Sequence, residues 1–276
     1  MKYEKALIKS ISLFFLVIML CSCSKYHQLL KSTDLDHKYE MAIQYYNGEE
    51  YYKAFPLFEE LLTLYKGTAK GEEVYYYYAY CNYYLDDFIL AGYYFKNFAK
   101  TYPNSKHAEE CQYMNAYCYY QTSPPSSLDQ TNTYKAIDEL QLFINLYSQS
   151  DRIAGCNELI DELRDKLETK TYKNSRLYYK LGIYKAAIVA FNITLKEFPD
   201  TKYKEDIVFL ILKSNYLLAS NSVESKKEER LKLTVDAYNT FIEAYPNSEY
   251  IKEAESIYGN SLKQLKNLVP NSRNRS

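Results

Sequence analysis

The chain has 276 residues, enough for one large domain or an array of repeats. Its 34 basic and 35 acidic side chains nearly cancel, which excludes the domain-wide basic field that nucleic-acid binding needs. Only seven glycines argue against a fold of many tight turns, and Leu, Lys, Glu and Ala supply helix formers throughout.

Residues 1–22 stand apart from the rest. Lys2, Lys5 and Lys9 precede a run from Ile11 to Cys21 that is apolar except for Ser12, the pattern of a cleaved secretory signal. The run is too short for a membrane span of about 20 residues. The segment "LCSC", Leu20 to Cys23, resembles the bacterial lipobox, in which small residues precede an acylated cysteine. That resemblance implies cleavage after Ser22 and acyl chains on Cys23, which together hold a protein firmly on a membrane. Ser24 stands where an aspartate would imply the inner membrane, and no acidic run follows. The implied location is the periplasmic face of the outer membrane, with residues 23–33 as a lipidated linker.

The stretch "VYYYYAYCNYYLDDF", Val74 to Phe88, puts seven tyrosines among ten residues, which suits a strand by propensity alone. Register decides otherwise. Ala42, Ala79 and Ala116 recur at 37 residues; three positions before each stands a tyrosine (Tyr39, Tyr76, Tyr113) and four after another (Tyr46, Tyr83, Tyr120). One position after come Ile43, Tyr80 and Tyr117. Offsets of −3, +1 and +4 form one face of an α-helix.

A second helical pattern follows each copy. Segments beginning at Ala54, Ala91, Ala136, Ala187 and Thr234 align without gaps, each ending eleven positions on in an aromatic: Tyr65, Tyr102, Tyr147, Phe198 and Tyr245. Pro103, Pro199 and Pro246 follow three of these rings and end the helix; Asn104-Ser105 and Asn247-Ser248 offer caps for the next. The later repeats carry insertions. Gln121 to Thr133 reads as a loop, residues 153–182 as a long charged helix, and residues 221–232 as a helix extension. A last helix from Tyr250 caps the array.

Alternating helices with this period, and "GIYKAA" at Gly182 to Ala187, resemble tetratricopeptide repeats. The fold class expected is all-α: about five helical hairpins in a right-handed superhelix plus a capping helix. Residues 34–121 form the amino-terminal repeats, 122–268 the carboxy-terminal repeats with the cap, and 269–276 a flexible tail. The resemblance implies that first helices line a groove. Tyr39, Tyr46, Tyr76, Tyr80, Tyr83, Tyr113, Tyr117 and Tyr120 are then the candidate peptide-binding residues, with Tyr75 and Tyr78 turned into helix packing. Tyrosine offers wide contact and a polar tip; simple packing of the same rings is the alternative.

No catalytic constellation stands out. The histidines, His27, His37 and His107, are not clustered with cysteine, no CxxC occurs, and there is no glycine-rich phosphate loop. Neither enzyme activity, a metal nor a cofactor is expected. Cys81, Cys111, Cys118 and Cys156 read as small core residues, with a disulfide neither required nor excluded.

A lipobox followed by five such repeats resembles the BamD (ComL/YfiO-like) lipoproteins of the outer-membrane β-barrel assembly machinery. "FKNFAKTYPNS", "YMNAYCYY" with its loop insertion, and "LKEFPDT" carry the likeness. It implies three kinds of partner: the POTRA region of a BamA-like barrel protein, other assembly lipoproteins, and segments of unfolded outer-membrane proteins. The alternative class is another tetratricopeptide lipoprotein, a SusD-like glycan-capture protein or a cell-envelope scaffold. The missing tryptophan speaks against sugar stacking.

Overall fold

The computed structural model describes residues 25–273. Cys23, the signal segment 1–22 and residues 274–276 lie outside the described residues. Among the described residues every regular element is helical. A short helix, α1, covers 25–31. It is followed by α2 (Leu35–Asn47), α3 (Tyr51–Leu64), α4 (Ala69–Tyr84), α5 (Phe88–Thr101), α6 (Ala108–Gln121) and α7 (Thr131–Leu146). Then come α8 (Ile153–Lys180), α9 (Tyr184–Glu197), α10 (Lys204–Ser220), α11 (Glu224–Ala244) and α12 (Ile251–Arg273). They pair as five hairpins, α2/α3 to α10/α11, with α12 as a cap.

The register read from sequence is the packing register. Ala42, Ala79 and Ala116 of the first helices are wholly buried, as are Ala54, Ala91, Ala136, Ala187 and Thr234 of the second. Four positions on, Phe58, Phe95, Leu140 and Phe191 are also wholly buried, and seven on, Leu61, Phe98, Phe143, Thr194 and Phe241. Small residues let two helices approach, and each buried large side chain contributes roughly 1.5–3 kcal/mol.

One corner recurs five times. The backbone N–H groups of Thr68, Ser105, Ser150, Thr201 and Ser248 donate to the carbonyls of Tyr65, Tyr102, Tyr147, Phe198 and Tyr245, each three residues earlier. The hydroxyl of the same residue accepts a backbone N–H of the next turn, Thr68 from Gly71 and Ser105 from His107 at 3.1 Å. Ser150, Thr201 and Ser248 do the same. A hydroxyl three places past the terminal aromatic thus starts each following helix. Gly71 is required at its corner, because a Cβ there would sit 2.1 Å from the Tyr65 carbonyl oxygen.

Three features differ from expectation. Residues 25–31 are not a free linker: Leu29 is buried against α2 and α3, and the Tyr26 hydroxyl donates to the Lys53 carbonyl at 2.9 Å. Tyr26, Leu29 and Leu30 share a helical face that closes the open end of the first hairpin. The capping helix passes the expected boundary at 268 and runs through Pro270 to Arg273. The third hairpin belongs with the first two. One compact unit holds residues to Pro124 with Gln130–Ile160; the second holds Pro125–Asp129 with residues from Asp161 on. Phe143 of α7 packs on Tyr113 of α6 at 5.7 Å, so the loop after Gln121 does not divide the array.

Candidate functional site

The eight candidate tyrosines lie on α2, α4 and α6 of the first unit. Seven are half-buried; Tyr80 is buried at 7 % exposure, packed on Phe95 of α5 at 4.8 Å. Tyr80 is therefore part of the floor rather than an open contact. Tyr78, at 3 % exposure, lies in the helix packing as expected.

The rings form one continuous series. Tyr46 meets Tyr77 at 4.8 Å between centroids, Tyr77 meets Tyr76 at 5.5 Å, and Tyr76 meets Tyr80 at 4.9 Å. Tyr80 meets Tyr83 at 6.4 Å, and Tyr83 reaches Tyr117 of α6 at 6.5 Å. Tyr117 is stacked on both Tyr113 and Tyr120, at 5.8 and 5.6 Å. Tyr39 stands beside this series, edge-on to Tyr65 at 6.4 Å with the Lys70 ammonium 5.5 Å from its ring. Such edge-to-face and offset pairs are the favoured arrangements of aromatic quadrupoles.

Several hydroxyls are tied to carboxylates on the first helix of the next hairpin. Tyr76 donates to Glu110 Oε2 at 2.9 Å and Tyr80 to Glu110 Oε1 at 2.7 Å; Tyr39 donates to Glu73. Tyr113 has no such acid but lies under the Arg152 guanidinium, 4.7 Å from ring centroid to carbon. His107 packs over Tyr76 at 4.1 Å. Burial, and then the bonds to Glu73 and Glu110, push Tyr39, Tyr76 and Tyr80 well above the ordinary phenol range. These groups stay protonated donors and offer no nucleophile.

Sequence reasoning missed Tyr77, which joins the α2 rings to those of α4, and it missed the acidic partners. The signal was there: Asp36, Glu73 and Glu110 recur at the same 37-residue interval as the alanines. The four cysteines Cys81, Cys111, Cys118 and Cys156 are free and buried, and burial pushes the Cys81 and Cys118 thiols up to about 12. Among the described residues no group of three His, Cys, Asp or Glu side chains could hold a metal. No helix among them is long and apolar enough to cross a membrane.

The family model YfiO, described as "Outer membrane lipoprotein", matches residues 32–231. The chain belongs to the YfiO family, the BamD-like outer membrane lipoproteins. The match begins just after α1 and runs into α11. No curated protein matches the sequence. Among solved structures, a TPR repeats protein from Bacteroides fragilis is 16% identical, with 84% of this YfiO-family chain and 100% of the other covered, at a TM-score of 0.36. The TPR2AB domain of yeast Sti1, in complex with pHSP90, is 11% identical, with 82% and 98% covered, at a TM-score of 0.37.

Proposed function

We propose that this YfiO-family chain is a non-enzymatic scaffold of the β-barrel assembly machinery. Acyl chains on Cys23 anchor it to the periplasmic face of the outer membrane. The aromatic face of α2, α4 and α6 receives an extended segment of an unfolded outer-membrane protein. The later hairpins engage the POTRA region of a BamA-like barrel protein and the other assembly lipoproteins.

The observation that carries this reading is the unbroken ring series from Tyr46 to Tyr120, crossing three successive first helices. A segment laid across three helices meets a half-buried ring at each. Half-buried tyrosines suit such a guest: ring area remains to be covered, and ordering a two-torsion side chain costs little entropy. Tyr83 and Tyr117 are half-buried and carry the series across from α4 to α6, so a guest lying on this face would cover both.

The test is binding of a fluorescent peptide ending in phenylalanine, of the kind that closes a barrel strand, to the full chain. Tyr83→Ala with Tyr117→Ala is expected to weaken binding about tenfold or more, since each lost stack is worth roughly 1 kcal/mol. Thermal unfolding should stay cooperative. Unchanged affinity in a folded double variant would show that the rings only pack.

A further inference from the structure

The turn between α8 and α9 departs from its counterparts in the first two hairpins. All three turns share one backbone. Glu49, Asp86 and Gly182 lie in the left-handed region, with φ of 58, 63 and 74°. The next residue's N–H, of Glu50, Asp87 and Ile183, donates to the carbonyl five residues earlier, of Tyr45, Asn82 and Tyr178. The first two turns present acids, Glu49-Glu50 and Asp86-Asp87. The third presents Leu181-Gly182-Ile183 between Lys180 and Lys185.

Its side chains face outward. From Arg176 to Ile183 every residue is exposed except Tyr179, with Leu181 at 62% and Ile183 at 49%. Residues 169–196 carry six cations, Lys170, Lys173, Arg176, Lys180, Lys185 and Lys196, and no acid, in a chain of net charge −1. Along α8, Lys170, Lys173, Arg176 and Lys180 border a cavity of about 470 Å³ closed by Ser126 and Ser127. On the α9 side, Tyr178, Ile183, Val189 and Ile193 line an apolar groove of about 550 Å³. Lys173, Arg176, Lys180 and Lys185 make no ion pair among the described residues.

We propose that this hairpin end is a membrane-contacting tip, in which Leu181 and Ile183 enter the interface of an anionic phospholipid bilayer. Lys173, Arg176, Lys180 and Lys185 meet the phosphates around them. A turn apex bearing two exposed aliphatic side chains is convex, and a fluid bilayer accepts a convex apolar apex, where a folded partner would need a matching hollow. Tyrosine favours the headgroup level, where Tyr178 would lie. Attraction of each cation to an anionic leaflet adds to the next, and salt screens it. The tip lies in the second unit, shares no residue with the tyrosine face, and needs no acyl chain of its own.

The experiment uses the full chain in vesicles, with Leu181→Cys carrying a nitrobenzoxadiazole fluorophore. The four native thiols described are buried, and the labelled parent chain gives the background. Val223→Cys, at a residue 69% exposed in the turn before α11, is the reference position. In vesicles of equal parts phosphatidylcholine and phosphatidylglycerol, the probe at 181 should brighten roughly threefold and shift to the blue; at 223 it should not. High salt, or Lys180→Glu with Lys185→Glu, should abolish the change. A water-like signal at 181 in these vesicles, an equal signal in vesicles of phosphatidylcholine alone, or shielding only by an added acidic protein would each overturn the proposal.

Discussion

The Tyr76 hydroxyl donates to Glu110, 34 residues further along, at 2.9 Å, and the second oxygen of the same carboxylate takes the hydroxyl of buried Tyr80 at 2.7 Å. The same 34-residue separation links Tyr39 to Glu73 and Tyr172 to Asp206. In each case a phenol on the first helix of one hairpin is bonded to an acid in the first turns of the next first helix. The tyrosines therefore join neighbouring repeats as well as covering a face. Where this bond is absent, at Tyr113, Arg152 lies over the ring instead.

Replacing Glu110 should expose how much this joint contributes. Glu110→Ala leaves the hydroxyl of a buried tyrosine without an acceptor and should destabilise the fold by about 1–3 kcal/mol. Glu110→Gln keeps an acceptor and should cost less. Urea unfolding of the two variants checks the order; equal stabilities would mean that solvent satisfies both phenols.

Lys38 is the most deeply buried charge described, at 1% exposure, and its ammonium contacts both oxygens of Glu60 at 2.8 and 2.6 Å. Glu60 keeps contact with water, its side chain 43% exposed, so the pair is asymmetric. Removing the acid strands a charge inside; removing the lysine returns a carboxylate to solvent. Glu60→Gln should therefore cost more than Lys38→Met, about 1–3 kcal/mol against under about 1. The comparison of denaturation midpoints fails if Lys38→Met is the more damaging change.

Glu49 and Asp86 hold the left-handed conformation that Gly182 holds in the fourth hairpin. A side chain costs roughly 1–2 kcal/mol there, less for aspartate than for glutamate. Glu49→Gly should raise stability by up to about 1 kcal/mol, with a smaller gain for Asp86→Gly, while Gly182→Ala should lose about 1. Thermal melts of the three single variants would give that rank; a loss on Glu49→Gly would show that its side chain has a use at the turn.

The hairpins were legible because packing repeats: the wholly buried alanines at 42, 79 and 116 mark positions where only a small residue fits, and rings at 65, 102 and 147 end the second helices in one register. The corner hydroxyls follow the same rule. The depth of Tyr80 was not legible. Its offset places it on the exposed stripe with Tyr76 and Tyr83, yet the neighbouring α5 presents Phe95 to it at 4.8 Å, and a helical offset says nothing of how far the adjacent helix overhangs. The reading of residues 23–33 as a linker misses the helix at 25–31 for a related reason. A helix of seven residues is too short to declare itself by period, and Leu29 is held by the surface it covers rather than by its own propensity.

Alkaline pH should dismantle the amino-terminal unit in a recognisable way. Burial, as the largest cause, raises Tyr46, Tyr75, Tyr76, Tyr78 and Tyr80 above the usual phenol value of 10.0. In the unfolded chain phenols ionise near 10, so above that pH the unfolded state has released protons that the folded state retains. The unfolded state then binds fewer protons, and stability must fall as pH rises. Below pH 10 the contribution of these groups is complete and flat. The urea midpoint should therefore hold steady from about pH 8 to about 9.5 and drop steeply beyond about 10.5. Phenolate absorbance from the buried set should appear together with the loss of helical circular dichroism. If all the phenolate absorbance develops near pH 10 while the helices remain intact, the rings lie open to solvent and the packed series from Tyr46 to Tyr120 does not hold.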